Sequence, residues 1–154
     1  MSELEVRIVQ LGPLHVASAL GFGEGPEGQA AEKILAFARR LGCLEQQSKP
    51  RFFGFNHPSP SAGSPNYGYE MWMEVEPEVQ GEGEVTIKDF PGGLYAVTRC
   101  LGVEPIPGAW KALSLWLEKS PYQFSNHQWL EQHVAWVDLP LEQYVLDLYA
   151  PIKK

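Results

Sequence analysis

The sequence predicts an α+β fold made of two tandem strand-helix-strand-strand repeats with pseudo-twofold symmetry. An antiparallel sheet would carry both helices on one face, with a central ligand groove where the repeats meet. Three observations carry this. The chain is written twice, each copy holds one amphipathic segment bounded by Pro and Gly, and each copy closes on two segments of strand-like alternation.

The repetition is gapless over its first part. Laying "VRIVQLGPLHVASALGFGEGPEGQAAEKILAFARRL" over "VTIKDFPGGLYAVTRCLGVEPIPGAWKALSLWLEKS" puts Val6 on Val85, Ile8 on Ile87, Ala17 on Ala96, Gly23 on Gly102 and Pro26 on Pro105. The ends match as well, "YGYEMWMEV" over "YVLDLYAPI", with Tyr67 on Tyr144, Glu70 on Asp147 and Trp72 on Tyr149. Repeat one spans about 5–78 and repeat two about 84–152, within one domain over 1–154.

Each repeat opens on a strand interrupted by Gly and Pro ("LGPLHVASA", "FPGGLYAVT"), which suggests a bulge or kink. The first helix should run from about Pro26 to Leu41, with Ala31, Ile34, Leu35, Ala38 and Leu41 as its apolar stripe. Pro26 suits its first turn and Gly42 its stop. The second should run from about Pro107 to Lys119, burying Trp110, Leu113, Trp116 and Leu117. Strands are expected in "RFFGFNHP" (51–58) and "YGYEMWMEV" (67–75), joined by the turn-rich "SPSAGSPN", a mobile tip. The second repeat has their counterparts in "QWLEQHVAW" (128–136) and "YVLDLYAPI" (144–152).

Composition narrows the function. The chain has 154 residues, 44% of them hydrophobic, and a formal net charge of −7. That field repels a phosphate backbone, so nucleic-acid binding by this chain alone is not expected. No apolar run is long enough to span a membrane, and acids in "MSELEVRIV" stand where a secretory signal would carry basic residues, which implies a cytoplasmic protein. The two cysteines, Cys43 and Cys100, form no metal or disulfide pattern. His127, Glu131 and His133 are of metal-ligand types but lack zinc spacing. The Gly-rich "GFGEGPEG" lacks the Lys of a phosphate loop. No metal or cofactor is expected.

The stretch "QWLEQHVAW" sets Glu131 and His133 between Trp129 and Trp136. A carboxylate among large rings is costly to desolvate unless something offsets its charge. Alternation places Trp129, Glu131 and His133 on one strand face and Val145, Asp147 and Tyr149 on the face opposite an apolar Leu146, Leu148 and Ala150. Glu70, Trp72 and Glu74 should occupy the corresponding open face, leaving Tyr69, Met71 and Met73 as core. One open face is thus expected to gather Glu131, Glu70 and Asp147 with Trp129, Trp72 and Tyr149. Gly54 aligns with Glu131 and would leave space in the other half. The competing reading is that the two glutamates are ordinary exposed strand acids and the aromatics are core.

The duplicated unit, the strand "YGYEMWMEV", the "WLEQH" acid and the closing "LDLYAPI" resemble the GyrI-like small-molecule-binding family, over nearly the whole chain. That family includes the effector-binding domains of multidrug-responsive bacterial regulators. The resemblance implies a groove for bulky aromatic, often cationic, compounds and a buried glutamate in the second half, which falls on Glu131. With no helix-turn-helix domain in the sequence, a stand-alone member is expected. The leading expectation is a binder of hydrophobic aromatic cations, with Glu131 as countercharge, Glu70 as second anchor and Trp72, Trp129, Tyr95 and Tyr149 as walls. Some stand-alone relatives hydrolyse cyclopropane-type DNA-alkylating toxins, and others act through gyrase. A hydrolase using Glu131 or Glu70 as base and a protein-interaction module are therefore the alternatives.

Overall fold

A computed structural model describes residues 4–23, 25–43, 50–56 and 67–154. The expected mobile tip at 59–66 and the last residues of "RFFGFNHP" lie outside them. The elements run β1 (Arg7–Leu11), β2 (Leu14–Gly23), α1 (Pro26–Leu41), β3 (Phe52–Asn56), β4 (Tyr67–Glu74), β5 (Thr86–Phe90), β6 (Gly93–Leu101), α2 (Ile106–Glu118), β7 (Gln123–Phe124), β8 (Leu130–Ala135) and β9 (Val145–Lys153). The α+β class, the two helices and the antiparallel pairing agree with the sequence reading.

The chain divides into two compact units, one formed by Leu14–Phe90 and the other by Met1–Pro13 with Pro91–Lys154. These boundaries cut across the sequence repeats. The expected bulge in each opening strand is a full break. β1 pairs with β6, while β2 pairs with β4 and β5. Pro13 and Pro91 explain the breaks, because a proline contributes no N–H to a ladder. Gly92 adds a left-handed turn at φ 83, and a side chain there would run into the carbonyls of Leu11 and Gly12.

In the 14–90 unit the strands lie in the order β5-β2-β4-β3, all antiparallel. α1 packs on β2 and β4. Pro26 begins this helix and Gly42, at φ 72, ends it by returning its N–H to the Ala38 and Arg39 carbonyls. Its buried stripe is Pro26, Ala30, Ile34, Phe37 and Ala38. The expected stripe is therefore rotated: Ala31 and Leu35 are half-buried, and Leu41 is 40% exposed. Phe37 is large enough to draw the helix round onto its side. Under it lie Tyr69, Met71 and Met73, all buried as expected.

In the other unit the order is β1-β6-β9-β8, with β7 also pairing with β9. Leu113 and Leu117 of α2 close a core with Ala96, Cys100, Leu146, Leu148, Ala150 and Ile152. Burying each leucine contributes about 1.5–3 kcal/mol. Trp110 and Trp116, expected in the same stripe, are only half-buried. Among the described residues no helix is long and apolar enough to cross a membrane.

Candidate functional site

Three carboxylates were singled out by the sequence, and each has a different setting. Glu70 is buried on β4, facing away from α1. One of its oxygens, Oε2, accepts from Ser18 Oγ at 2.8 Å, Trp72 Nε1 at 2.6 Å and Lys88 Nζ at 2.7 Å. Burial alone would raise its pKa. The hydrogen bonds from Lys88, Trp72 and Ser18, with the Lys88 charge, outweigh that and hold it below the usual glutamate value. Trp72 is in turn packed between Phe55, edge-on at 5.0 Å, and Phe90 at 5.3 Å. The expected pairing of Glu70 with Trp72 is real, but the charge is already met by an ammonium of the chain itself.

Asp147 is likewise buried, on β9. Arg99 grips it through Nε at 2.8 Å and Nη2 at 3.1 Å, and Arg7 adds a bond at 2.9 Å. Tyr149 shares this face, because it lies opposite Val97 of β6 and Leu130 of β8. Its hydroxyl donates to Gln132 Oε1 at 2.7 Å, and its ring meets Tyr95 edge-on at 5.3 Å. Tyr95, fully buried, donates to the Gln128 carbonyl at 2.5 Å and packs against His127. Burial, and then Tyr149, drive its phenol pKa well above the ordinary value. Tyr95 and Tyr149 are thus brought together as buried, hydrogen-bonded packing.

Glu131 is where the sequence reading needs correction. It lies opposite Leu148, and His133 lies opposite Leu146. Side chains opposite one another on antiparallel strands share a face, so Glu131 and His133 stand on the side of the sheet that carries α2. Asp147 and Tyr149 stand on the other side. The expected single face holding Glu131 with Asp147 and Tyr149 does not exist.

On the α2 side the acid meets rings. Trp110 of α2 donates its indole N–H to Glu131 Oε2 at 3.3 Å. The Trp110 ring meets Trp129 edge-on at 5.4 Å, and Trp129 stacks on Phe124 of β7 at 5.8 Å and 25°. Phe124 joins because it lies opposite Ile152, on the same side. Trp129 is 38% and Phe124 41% exposed, while Trp110 and Glu131 are half-buried. The cluster therefore presents rings to solvent beside a shielded carboxylate. The Glu131 charge reaches Cys100, whose thiol pKa is raised first by burial and then by that charge. His133 packs on Trp136 at 5.4 Å, and its Nδ1 is shielded from solvent. Desolvation pushes its pKa down to about 4, so the ring is neutral.

Gly54 is not the open space expected. A side chain there would run into the Tyr69 ring, which occupies the volume above it. Trp110 and Phe124 are the ring partners that the sequence reading left out of the site. Helical spacing assigns Trp110 to the core stripe of α2, and only the way α2 lies on its sheet reveals the contact with Glu131. Among the described residues no group of three or more His, Cys, Asp or Glu is placed to hold a metal.

Comparison with known proteins gives the family and the fold. The family Cass2, integron-associated effector binding protein, matches residues 7–152. The C-terminal domain of EcmrR has a similar fold, with TM-score 0.73 and 12% identity, covering 98% of each chain. Against EcmrR in its DNA complex (TM-score 0.74, 13% identity) the match covers 97% of this chain but spans only 57% of that one. A hydrolase from Listeria innocua matches at TM-score 0.71 and 10% identity, over 99% of this chain and 94% of that one. SAV2435, solved bound to tetraphenylphosphonium, matches at TM-score 0.58 and 13% identity, over 97% and 94%. No curated protein matches the sequence.

Proposed function

The chain belongs to the family of integron-associated effector binding proteins, and we propose that it binds a lipophilic aromatic cation against Glu131, with Trp110, Trp129 and Phe124 as the walls. The observation that carries this is the setting of Glu131: a half-buried carboxylate whose neighbours include the Trp110 N–H and the Trp110–Trp129–Phe124 ring cluster. An aromatic face attracts a cation through its quadrupole, by about 0.5–2 kcal/mol per ring depending on desolvation. The carboxylate adds the countercharge and selects against neutral and anionic compounds. A large flat or tetrahedral aryl cation supplies both the charge and the apolar surface that this cluster complements. The ligand of SAV2435, a protein of similar fold, is of that chemical class.

Glu70 and Asp147 serve a different purpose in this reading. Each is already paired, with Lys88 and with Arg99 and Arg7 respectively, so a ligand cation would have to displace a covalently tethered one. Trp72, Tyr95 and Tyr149 then act as packing on the opposite faces of their sheets rather than as contacts. The hydrolase alternative is weakened for Glu70 on the same ground. A carboxylate held below its usual pKa by three donors is a poor proton acceptor near neutral pH.

The test is a fluorescence titration of the full chain with tetraphenylphosphonium and with tetraphenylborate, ions of matched shape and opposite charge. Saturable quenching by the phosphonium, with at least a tenfold weaker response to the borate, is the expected outcome. Equal responses to the two ions would mean that shape alone is read, and the charge assignment would fall.

A further inference from the structure

We propose that β1 is a docking edge for a second copy of this chain, whose own β1 pairs with it antiparallel about a twofold axis at Val6.

β1 is an edge strand, since among the described residues β6 is the only strand that pairs with it. An open edge offers N–H and C=O groups to another strand, and proteins commonly guard it with charges that such a partner cannot meet. The edge here begins before the ladder does, because the Glu5 carbonyl already accepts from Thr98 Oγ of β6 at 2.8 Å. Over 4–8 it reads Leu-Glu-Val-Arg-Ile. Leu4 and Val6 pack against the core under α2, and Ile8 lies opposite Ala96 of that core while staying 40% exposed. Glu5 and Arg7, both exposed, take the other face, where Arg7 reaches Asp147.

That pattern is its own complement. Residues opposed across an antiparallel pair share a face. In a twofold-symmetric pair a residue therefore meets its own copy, or one an even number of positions away. With the axis at Val6, Glu5 of each copy faces Arg7 of the other, Leu4 faces Ile8, and Val6 faces Val6. Both charges are matched, twice, and the apolar strip continues across the junction. β5, the edge of the 14–90 unit, lacks this property. Its opposite charges, Lys88 and Asp89, are adjacent and so lie on opposite faces, and no twofold register brings them together. They are also engaged within the chain, Lys88 by Glu70 and Asp89 by His15, and Val85 just before the strand is bonded to Glu82. A pairing as short as that at β1 stays below the roughly 1,200 Å² of a standard interface, which makes the dimer weak and reversible.

The test is sedimentation velocity of the full chain from about 5 to about 500 µM, a range suited to an interface of that size. The weight-average coefficient should rise towards that of a dimer with concentration, and high salt should weaken the association. Glu5→Lys, which sets two like charges opposite each other on both sides of the axis, should weaken it at least fivefold while circular dichroism stays unchanged. Arg7→Glu should do the same. An equimolar mixture of the two variants should recover association to within threefold of wild type, because each supplies the charge that the other now requires. A monomer at every concentration would overturn the proposal, and so would a dimer unmoved by Glu5→Lys, which would place the contact elsewhere on the chain. Should Arg7→Glu fail to fold for want of its bond to Asp147, the Glu5→Lys result decides alone.

Discussion

Glu70 and Glu131 are both glutamates on strands, both near tryptophans, and each hydrogen-bonded to an indole N–H. Their surroundings nevertheless divide them. Glu70 is sealed, with an ammonium and a hydroxyl on the same oxygen that takes the indole proton. Glu131 is half-buried beside a tryptophan and a phenylalanine that keep more than a third of their surface in solvent. An indole N–H on a carboxylate therefore says little by itself, and it is burial and the exposure of the neighbouring rings that separate the two settings. For Glu70 the countercharge is Lys88, and the cluster holds the edge strand β5 to its sheet. Around Glu131 the rings keep an exposed rim that a cation from solvent can reach.

The comparison can be broken most forcefully at Glu70. Glu70→Ala should cost about 2–3 kcal/mol, because it leaves the Trp72 N–H and Ser18 hydroxyl without their acceptor and removes the partner of Lys88. Urea denaturation would register this as a lower midpoint. A loss below about 0.5 kcal/mol would mean that the buried network contributes nothing. In contrast, Glu131→Gln should alter stability by less than about 1 kcal/mol, as an exchange near the surface that keeps shape.

Next in size is Gly54→Ala. Its Cβ would overlap the Tyr69 ring, which is itself buried under α1, and overpacking of this kind costs about 1–3 kcal/mol. Thermal denaturation of this variant, with cation affinity measured below its melting range, separates the two views of Gly54. A stable variant with weakened binding would restore the reading of Gly54 as ligand space.

The pH dependence of stability sharpens the contrast further. The folded-state pKa of His133 is about 4 against an ordinary 6.5. Between those values the unfolded chain binds a proton that the folded chain refuses. Stability therefore falls as pH is lowered from about 6.5 towards 4, by at most about 1.4 kcal/mol per unit. Glu70 works in the same direction at lower pH. Its folded pKa is depressed, so its contribution is present above the ordinary glutamate value and is lost as pH falls through the folded one. Denaturation midpoints of His133→Leu should be flatter than wild type across the upper window and equally steep in the lower one. Identical profiles would show that His133 is not held neutral.

Much of this was legible in the sequence. Pro26 and Gly42 fixed the ends of α1 because their backbone preferences suit the first turn and the left-handed stop, and both act locally. The buried trio Tyr69, Met71 and Met73 followed from alternation on β4. The face of β8 was not legible. Leu130 is fully buried on one side while Glu131 is half-buried on the other, so alternation of polarity gives no safe answer, and one step of register exchanges the faces. The partners of Glu131 come from α2 and β7, and their meeting depends on how a helix lies across a sheet. The breaks at Pro13 and Pro91 were visible as interruptions, but not the exchange of strand partners they allow.

In the proposed site Glu131, and not Glu70, meets the ligand's charge. The most direct measurement is calorimetric titration of tetraphenylphosphonium into wild type, Glu131→Gln and Glu70→Gln, each under conditions where circular dichroism shows the variant folded. The expected result is at least a tenfold loss of affinity for Glu131→Gln, about 1.4 kcal/mol or more, and less than a threefold change for Glu70→Gln. Retained affinity in Glu131→Gln with a large loss in Glu70→Gln would contradict it and move the site to the sealed cluster on β4.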